Sequence, residues 1–228
     1  MSDLIDTTEM YLKTVYSLME EGTPALRARI VERLGQSGPT VSETVGRMER
    51  DGLVELDGRQ IHFTPEGLRR AAHVVRRHRV AERLMSDVLK LDLGRIHDEA
   101  CRWEHVMSDD VVEKIEQFLN SPTTDPFGNP IPDEKAHDPK ELSGKVAGLQ
   151  SLAAVMESLE PGQKVKVKVA RLAEVVQDDA EMISMIAALG ILPGKELTVS
   201  VDQVRTDLGE LIEFSPHVRH AVFLESAQ

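Results

Sequence analysis

The chain has 228 residues, 41 % of them apolar, and a formal net charge of -12. That length suits one large domain or two to three small ones, and the acidity excludes a global positive field, so any DNA contact has to come from a local basic surface. The single cysteine, Cys101, excludes an intramolecular disulfide. With no signal-peptide pattern at Met1-Ser2-Asp3-Leu4-Ile5-Asp6 and no apolar stretch of membrane-spanning length, the chain reads as cytoplasmic, without a membrane partner.

Asp6-Thr7-Thr8-Glu9 has the form of a capping box, with Asp6 as cap and Glu9 reaching back to it. The helix that follows puts Leu12, Val15, Tyr16 and Met19 on one face, and leaves Met10 with Thr14 and Ser17 on the polar one, an odd place for a methionine. A second helix runs from Arg27 to Gly35. Ser37 or Gly38 caps a third, Pro39 suits its first turn, and Gly52 ends it. Val41, Val45 and Met48 form its inner stripe, with Thr40, Glu43, Arg47 and Arg50 opposite. Leu53-Val54-Glu55-Leu56, a turn at Asp57-Gly58, and Gln60-Ile61-His62-Phe63 then read as a β-hairpin. This order is that of a winged helix-turn-helix over residues 1–64.

Three helices are expected next: Pro65 to about Leu91, about Ile96 to Met107, and one capped near Ser108-Asp109-Asp110 and ending near Leu119. Their several apolar stripes in so small a unit, residues 65–120, suggest a face buried against a partner chain. Residues 121–148 read as a linker, whose proline-rich start from Ser121 to Pro132 is either a solvated tether or an extended ligand docked on another domain. In residues 149–228, Val165, Val167 and Val169 alternate with lysines as in a half-buried strand. Asp178 to Leu189 reads as a helix, and three short strands follow from Leu197, Leu211 and Ala221, together a small β-barrel with one inserted helix.

Two regions carry chemistry. On one helix, His97, Cys101, Glu104 and His105 fall within an arc of about 100°, and the preceding helix supplies His78 and Glu82 at i, i+4. Thiolate and imidazole are ligands that Fe(II), Co(II), Ni(II) and Zn(II) prefer over hard cations. A lone cysteine or histidine is ordinarily a satisfied core residue, and a catalytic Cys–His pair would want an oxyanion motif, which the sequence lacks. In the helix-turn-helix, Ser37, Thr40 and Ser42 are small enough to approach phosphates or base edges, and the Pro39 ring to touch thymine methyls. Arg27, Arg47 and Arg50 would neutralise phosphates. The bland alternative is a packing helix with a solvated charged face.

The runs Asp6–Leu12, Gln36–Ser42, Arg47–Leu53, His97–Ser108 and Pro126–Pro132 together resemble the diphtheria toxin repressor family, in its actinobacterial iron-dependent form. The resemblance is dense over residues 1–132 and looser beyond. It implies a homodimer on operator DNA, each chain with a winged helix, a helical dimerisation domain and an SH3-like domain. It further implies a primary metal site of Met10, Cys101, Glu104 and His105, and an ancillary one of His78, Glu82, His97, Glu174 and Gln177. Ser37, Pro39 and Thr40 would lie near bases, with Arg27, Ser42 and Arg50 near phosphates. Where this chain has Glu43 the family commonly has Gln; a carboxylate cannot donate to adenine and is repelled by phosphate. The cofactor implied is Fe(II), favoured over Mn(II) by the Cys101 and Met10 sulfurs, with Co(II), Ni(II) and Zn(II) as substitutes in vitro. A manganese regulator and a non-haem metalloenzyme are the competing readings, the second lacking any general-base motif in the sequence.

Overall fold

In a computed structural model, the described residues, 6–133 and 148–226, fall into two compact units. The first comprises residues 6–81, 100–122 and 131–133; the second comprises 82–99, 123–130 and 148–226. Residues 134–147 of the expected linker lie outside the described residues.

The first unit opens with α1 (Thr7–Glu20), whose N-cap Asp6 accepts from the Thr8 and Glu9 amides. Half of the capping box is therefore made as expected. The other half is not, because the Glu9 side chain turns to His105 instead. α2 (Arg27–Leu34) ends at Gly35 in the left-handed conformation, φ 61°. Ser37 caps α3 (Gly38–Arg50) by accepting from the Thr40 amide, and Tyr11 donates to Gln36 just before it. Val41, Val45 and Met48 are fully buried against Tyr11, Leu12, Val15 and Ile30. Each such side chain contributes roughly 1.5–3 kcal/mol by leaving water.

The wing consists of β1 (Val54–Asp57) and β2 (Gln60–Phe63), antiparallel with Asp57 opposite Gln60. Its two-residue turn is therefore Gly58-Arg59, one position later than the Asp-Gly signal suggested, with Gly58 at φ 59°. The Ile61 amide donates to the Ala25 carbonyl, so the chain before α2 flanks the hairpin. α4 (Pro65–Asp87) follows at once. A Cβ at Gly67 would lie 1.7 Å from the Leu53 carbonyl oxygen, so only glycine lets α4 close on the chain entering the wing.

α5 (Leu93–Trp103) and α6 (Asp109–Phe118) complete the helical part. The face of α1 expected to be polar is largely buried: Lys13, Ser17 and Glu20 are each less than a tenth exposed. Glu20 accepts two parallel hydrogen bonds from Arg79, Nη1 to Oε1 at 2.9 Å and Nη2 to Oε2 at 2.8 Å. The guanidinium carbon stands 5.8 Å from the centre of the Tyr16 ring.

In the second unit, six strands form one sheet in the order β3-β8-β4-β5-β6-β7. These are β3 (Gln150–Ser151), β4 (Val165–Leu172), β5 (Glu196–Val199), β6 (Val204–Thr206), β7 (Leu211–Ile212) and β8 (Val222–Ser226). All neighbouring pairs are antiparallel. Among the described residues the order is linear, a small antiparallel sheet in the β-rich C-terminal part that was expected. Among the described residues four helices accompany it where one was expected: α7 (Leu152–Glu157), α8 (Glu174–Gln177), α9 (Ala180–Ala188) and α10 (Pro216–Ala221). The three short ones are six residues or fewer, too brief for helical periodicity to reveal them.

Residues 123–130 of the proline-rich segment pack in this unit as a tight loop, docked on it rather than solvated. Asp125 accepts from the amides of Phe127 and Asn129, both at 2.8 Å, and from the Asn129 side chain. Asn129 passes its amide on to the Leu172 carbonyl, and the Leu172 amide donates to the Phe127 carbonyl. Phe127 is completely buried.

Candidate metal centre and nucleic-acid interface

Three of the four residues read as a primary metal site come together in the first unit, just past the end of α5. His105 Nε2 lies 3.3 Å from Glu104 Oε1, with both side chains buried. Cys101, one turn back, and Glu104 share a contact that the sequence reading missed: Lys13 Nζ stands 3.0 Å from Glu104 Oε2 and 3.3 Å from Cys101 Sγ. His78 joins this group, its Nδ1 2.6 Å from Glu104 Oε2 and 3.0 Å from Lys13 Nζ. Among the described residues no hydrogen bond or ion pair joins the Met10 side chain to this group; it is half-buried against the apolar core. Its helix neighbours make the contacts: Glu9 to His105 Nδ1 at 2.7 Å, and Lys13 to Glu104. Glu9 and Lys13 are i, i+4 on α1, so one face of the first helix meets the turn that carries Glu104 and His105.

A donor set of carboxylate, thiol and imidazole that already surrounds a positive charge has the chemistry a divalent cation requires. Burial alone would push the Glu104 carboxyl up. The Lys13 charge, together with the hydrogen bond and charge of His78, outweighs burial and holds it below the ordinary carboxylate range. A group depressed in this way contributes stability that is present above its unfolded value and lost as pH falls through its folded one. In chelator-treated protein, acid unfolding followed by Trp103 fluorescence should therefore be shallower in Glu104→Gln than in the parent; an identical acid limb would show that Glu104 carries none of it.

Of the residues read as an ancillary site, four belong to the second unit. His97 Nδ1 lies 3.4 Å from Glu82 Oε1, and its Nε2 lies 2.9 Å from Asp178 Oδ1. Asp178 ends α8, the helix bearing Glu174 and Gln177, both buried. Gln177 donates to the Leu172 carbonyl, while its buried Oε1 has no hydrogen-bond partner among the described residues. A buried acceptor left in this way is costly unless a donor or cation meets it, which suits a metal ligand. Asp178 was not anticipated, because it stands next to a second aspartate, Asp179, which caps α9 by accepting from the Glu181 and Met182 amides. The fifth residue, His78, contacts Glu104 and Lys13 as described above.

The helix-turn-helix presents Ser37, Pro39, Thr40, Ser42, Glu43, Arg47 and Arg50 on one exposed surface, with Arg27 half-buried at the start of α2. Ser37 also hydrogen-bonds the Thr40 hydroxyl at 2.8 Å, so part of its capacity serves the cap. Arg47 and Arg50 occupy the last turn of α3, where they also complement its dipole.

The matches to known proteins run the length of the chain. Residues 3–60 match the model of the iron dependent repressor N-terminal DNA binding domain, and residues 64–133 that of the iron dependent repressor metal binding and dimerisation domain. The chain is 45 % identical over 229 residues to the diphtheria toxin repressor of Corynebacterium efficiens, covering 99 % of this chain and 97 % of that one. It is 50 % identical over 202 residues to the iron-dependent repressor IdeR of Mycobacterium tuberculosis, covering 87 % and 86 %. Among solved structures, a manganese-dependent transcriptional repressor in complex with manganese superposes with a TM-score of 0.78 at 26 % identity, over 97 % of this chain and 100 % of that one. With a DNA-binding domain model and a metal-binding and dimerisation domain model matched in succession, and with identity of this extent to repressors over nearly its whole length, the chain belongs to the iron-dependent repressor family of the diphtheria toxin repressor type.

Proposed function

We propose that this protein is an Fe(II)-dependent repressor that binds palindromic operators of iron-uptake and iron-homeostasis genes in the cytoplasm, as a metal-loaded homodimer. The domain division that goes with this reading is residues 1–64 for DNA, 65–120 for dimerisation and metal, 121–148 as connection and 149–228 as the SH3-like part. Cys101, Glu104 and His105, with Met10, would hold the activating ion; Glu82, His97, Glu174 and Gln177, with His78, would hold the ancillary one. The bound ion supplies positive charge that ties sulfur, carboxylate and imidazole donors from separate helices into one cluster. What supports this reading is that α1, the first helix of the DNA-binding domain, already touches the Glu104–His105 turn through Glu9 and Lys13.

The chemistry of this chain's own residues follows from that arrangement. Glu104 is held ionised by its neighbours and so offers a charged oxygen. His105 has one nitrogen toward Glu9 and the other toward Glu104, which orients the ring. Fixing α1 fixes the tilt of α3 through the shared core of Val15, Val41 and Val45. In a symmetric dimer the two α3 helices must then match half-sites about one helical turn apart, or a multiple of it. Pro39 and Thr40 face bases, while Arg27, Ser42, Arg47 and Arg50 set register on phosphates. Glu43 restricts which base is accepted beside it.

The test is an anaerobic gel shift on operator DNA selected from a random pool, with titrated Fe(II). Met10→Ala and Cys101→Ala should each lose at least about ten-fold in metal-dependent affinity, equivalent to roughly 1.4 kcal/mol. If both variants keep full iron-dependent binding, the ion does not bridge these residues. Equal activation by Mn(II) and Fe(II) at matched free concentrations would instead overturn the choice of iron.

A further inference from the structure

Lys13 sits where a lysine is unusual. Its side chain is 10 % exposed, and lysines are almost never buried to that degree unless paired. The ammonium donates to Glu104 Oε2 at 3.0 Å and to Cys101 Sγ at 3.3 Å, and His78 Nδ1, which itself faces Glu104 Oε2, lies 3.0 Å from it. Two of these belong to residues read above as ligands of the activating ion.

An ammonium and a divalent cation compete for the same lone pairs and repel each other at close range. We infer that Lys13 is a built-in competitor for the metal, a cation that must leave Glu104 and Cys101 before an ion occupies them, and that it thereby sets the free metal concentration at which the site fills. The inference rests on the reading of Cys101 and Glu104 as ligands. A lysine is suited to the task. Its charge is compact, and its four-carbon stem lets the head swing away while α1 stays in place. Arginine at the same place would hold the carboxylate by a rigid two-pronged fork.

The consequence is a raised threshold. When a binding-competent arrangement is only a fraction of the population, apparent affinity falls by that fraction. Lys13 lowers the fraction in which Glu104 and Cys101 are free to bind. It leaves the ligands themselves unchanged, so metal preference is set by the donors and sensitivity by Lys13.

The experiment is an anaerobic titration of the full-length protein with Co(II), following the thiolate-to-Co(II) charge-transfer absorption that reports Cys101. Lys13→Met should fill at a free Co(II) concentration at least about ten-fold lower than the parent. Lys13→Gln, which keeps a polar tip without the charge, should shift in the same direction and stands in if Lys13→Met does not fold. Lys13→Arg, which keeps the charge and holds the carboxylate by two bonds, should fill at a free Co(II) concentration no lower than the parent. An unshifted or weaker midpoint in the two uncharged variants overturns the inference, as does Lys13→Arg tightening as much as they do. Failure of the ligand reading looks different: the absorption is then missing from the parent, or persists in Cys101→Ser.

Discussion

Replacing Glu20 by alanine should destabilise the first unit by about 3–5 kcal/mol, the cost of removing one partner of a fully buried, two-pronged ion pair. The side chains of Arg79 and Glu20 are 0 % and 2 % exposed, so a guanidinium deprived of this carboxylate keeps its charge in a medium that solvates it poorly. Arginine does not escape by losing a proton. The expected readout is a denaturant midpoint shifted downward at unchanged slope, followed by the fluorescence of Trp103, the only tryptophan. Removing both partners together is expected to cost far less. Glu20→Met with Arg79→Met should recover most of the loss, because apolar side chains of similar volume replace both charges at once. A single variant within about 1 kcal/mol of the parent would show that Arg79 finds equivalent partners elsewhere.

Gly128→Ala is expected to have the next largest effect, about 3 kcal/mol, centred on the proline-rich loop of the second unit. Two penalties coincide there. The backbone at φ +86° is one that residues with a Cβ rarely adopt, and the added carbon would stand 2.2 Å from the Ala170 carbonyl oxygen. The first penalty is of order 1 kcal/mol. The second has no cheap relief, because the obstacle is strand backbone rather than the end of a flexible side chain. Gly209 separates the two contributions, since it has φ +87° with nothing within 4 Å of its Cβ position. Gly209→Ala should therefore show the conformational part alone. Amide exchange reads the difference: the Leu172 N–H, bonded to the Phe127 carbonyl at 2.8 Å, should lose protection in Gly128→Ala and keep it in Gly209→Ala. Retained protection in both would mean that the loop tolerates the displacement.

These two positions also mark what the sequence could and could not disclose. The stripe of Val41, Val45 and Met48, the Ser37 cap and the glycine stops after α2 and α3 are local, and periodicity and capping chemistry were enough to read them. Glu9 was misread in part because a capping box and a long-range ion pair look alike in sequence; only His105, 96 residues away, distinguishes them. Lys13 and Glu20 were passed over for a related reason. Charged residues on the outer stripe of an amphipathic helix are ordinarily solvated, and the helices that bury them come much later in the chain. The wing turn lies one residue later than the favoured Asp-Gly pair predicts, because Asp57 is the last paired residue of β1. Of the metal-ligating types, the cluster from Cys101 to His105 was legible because its members lie on one helix and the following turn. The contact of Asp178 with His97 was not, since it depends on how the end of α8 meets α5.

The buried polar face of α1 has a thermodynamic consequence. Tyr11, Leu12, Val15, Tyr16 and Leu18 hold the helix to its own domain by apolar contact, whereas Glu9, Lys13 and Glu20 join it to His105, Glu104 and Arg79 by charge. Parting that second joint wets ionic and polar groups. Hydrating apolar surface raises heat capacity, and hydrating polar surface lowers it. Loosening the charged contacts alone thus carries a smaller heat-capacity change than unfolding the apolar core that α1 shares with Leu68, Ala71 and Val75 of α4, and added salt favours it by screening the separated charges.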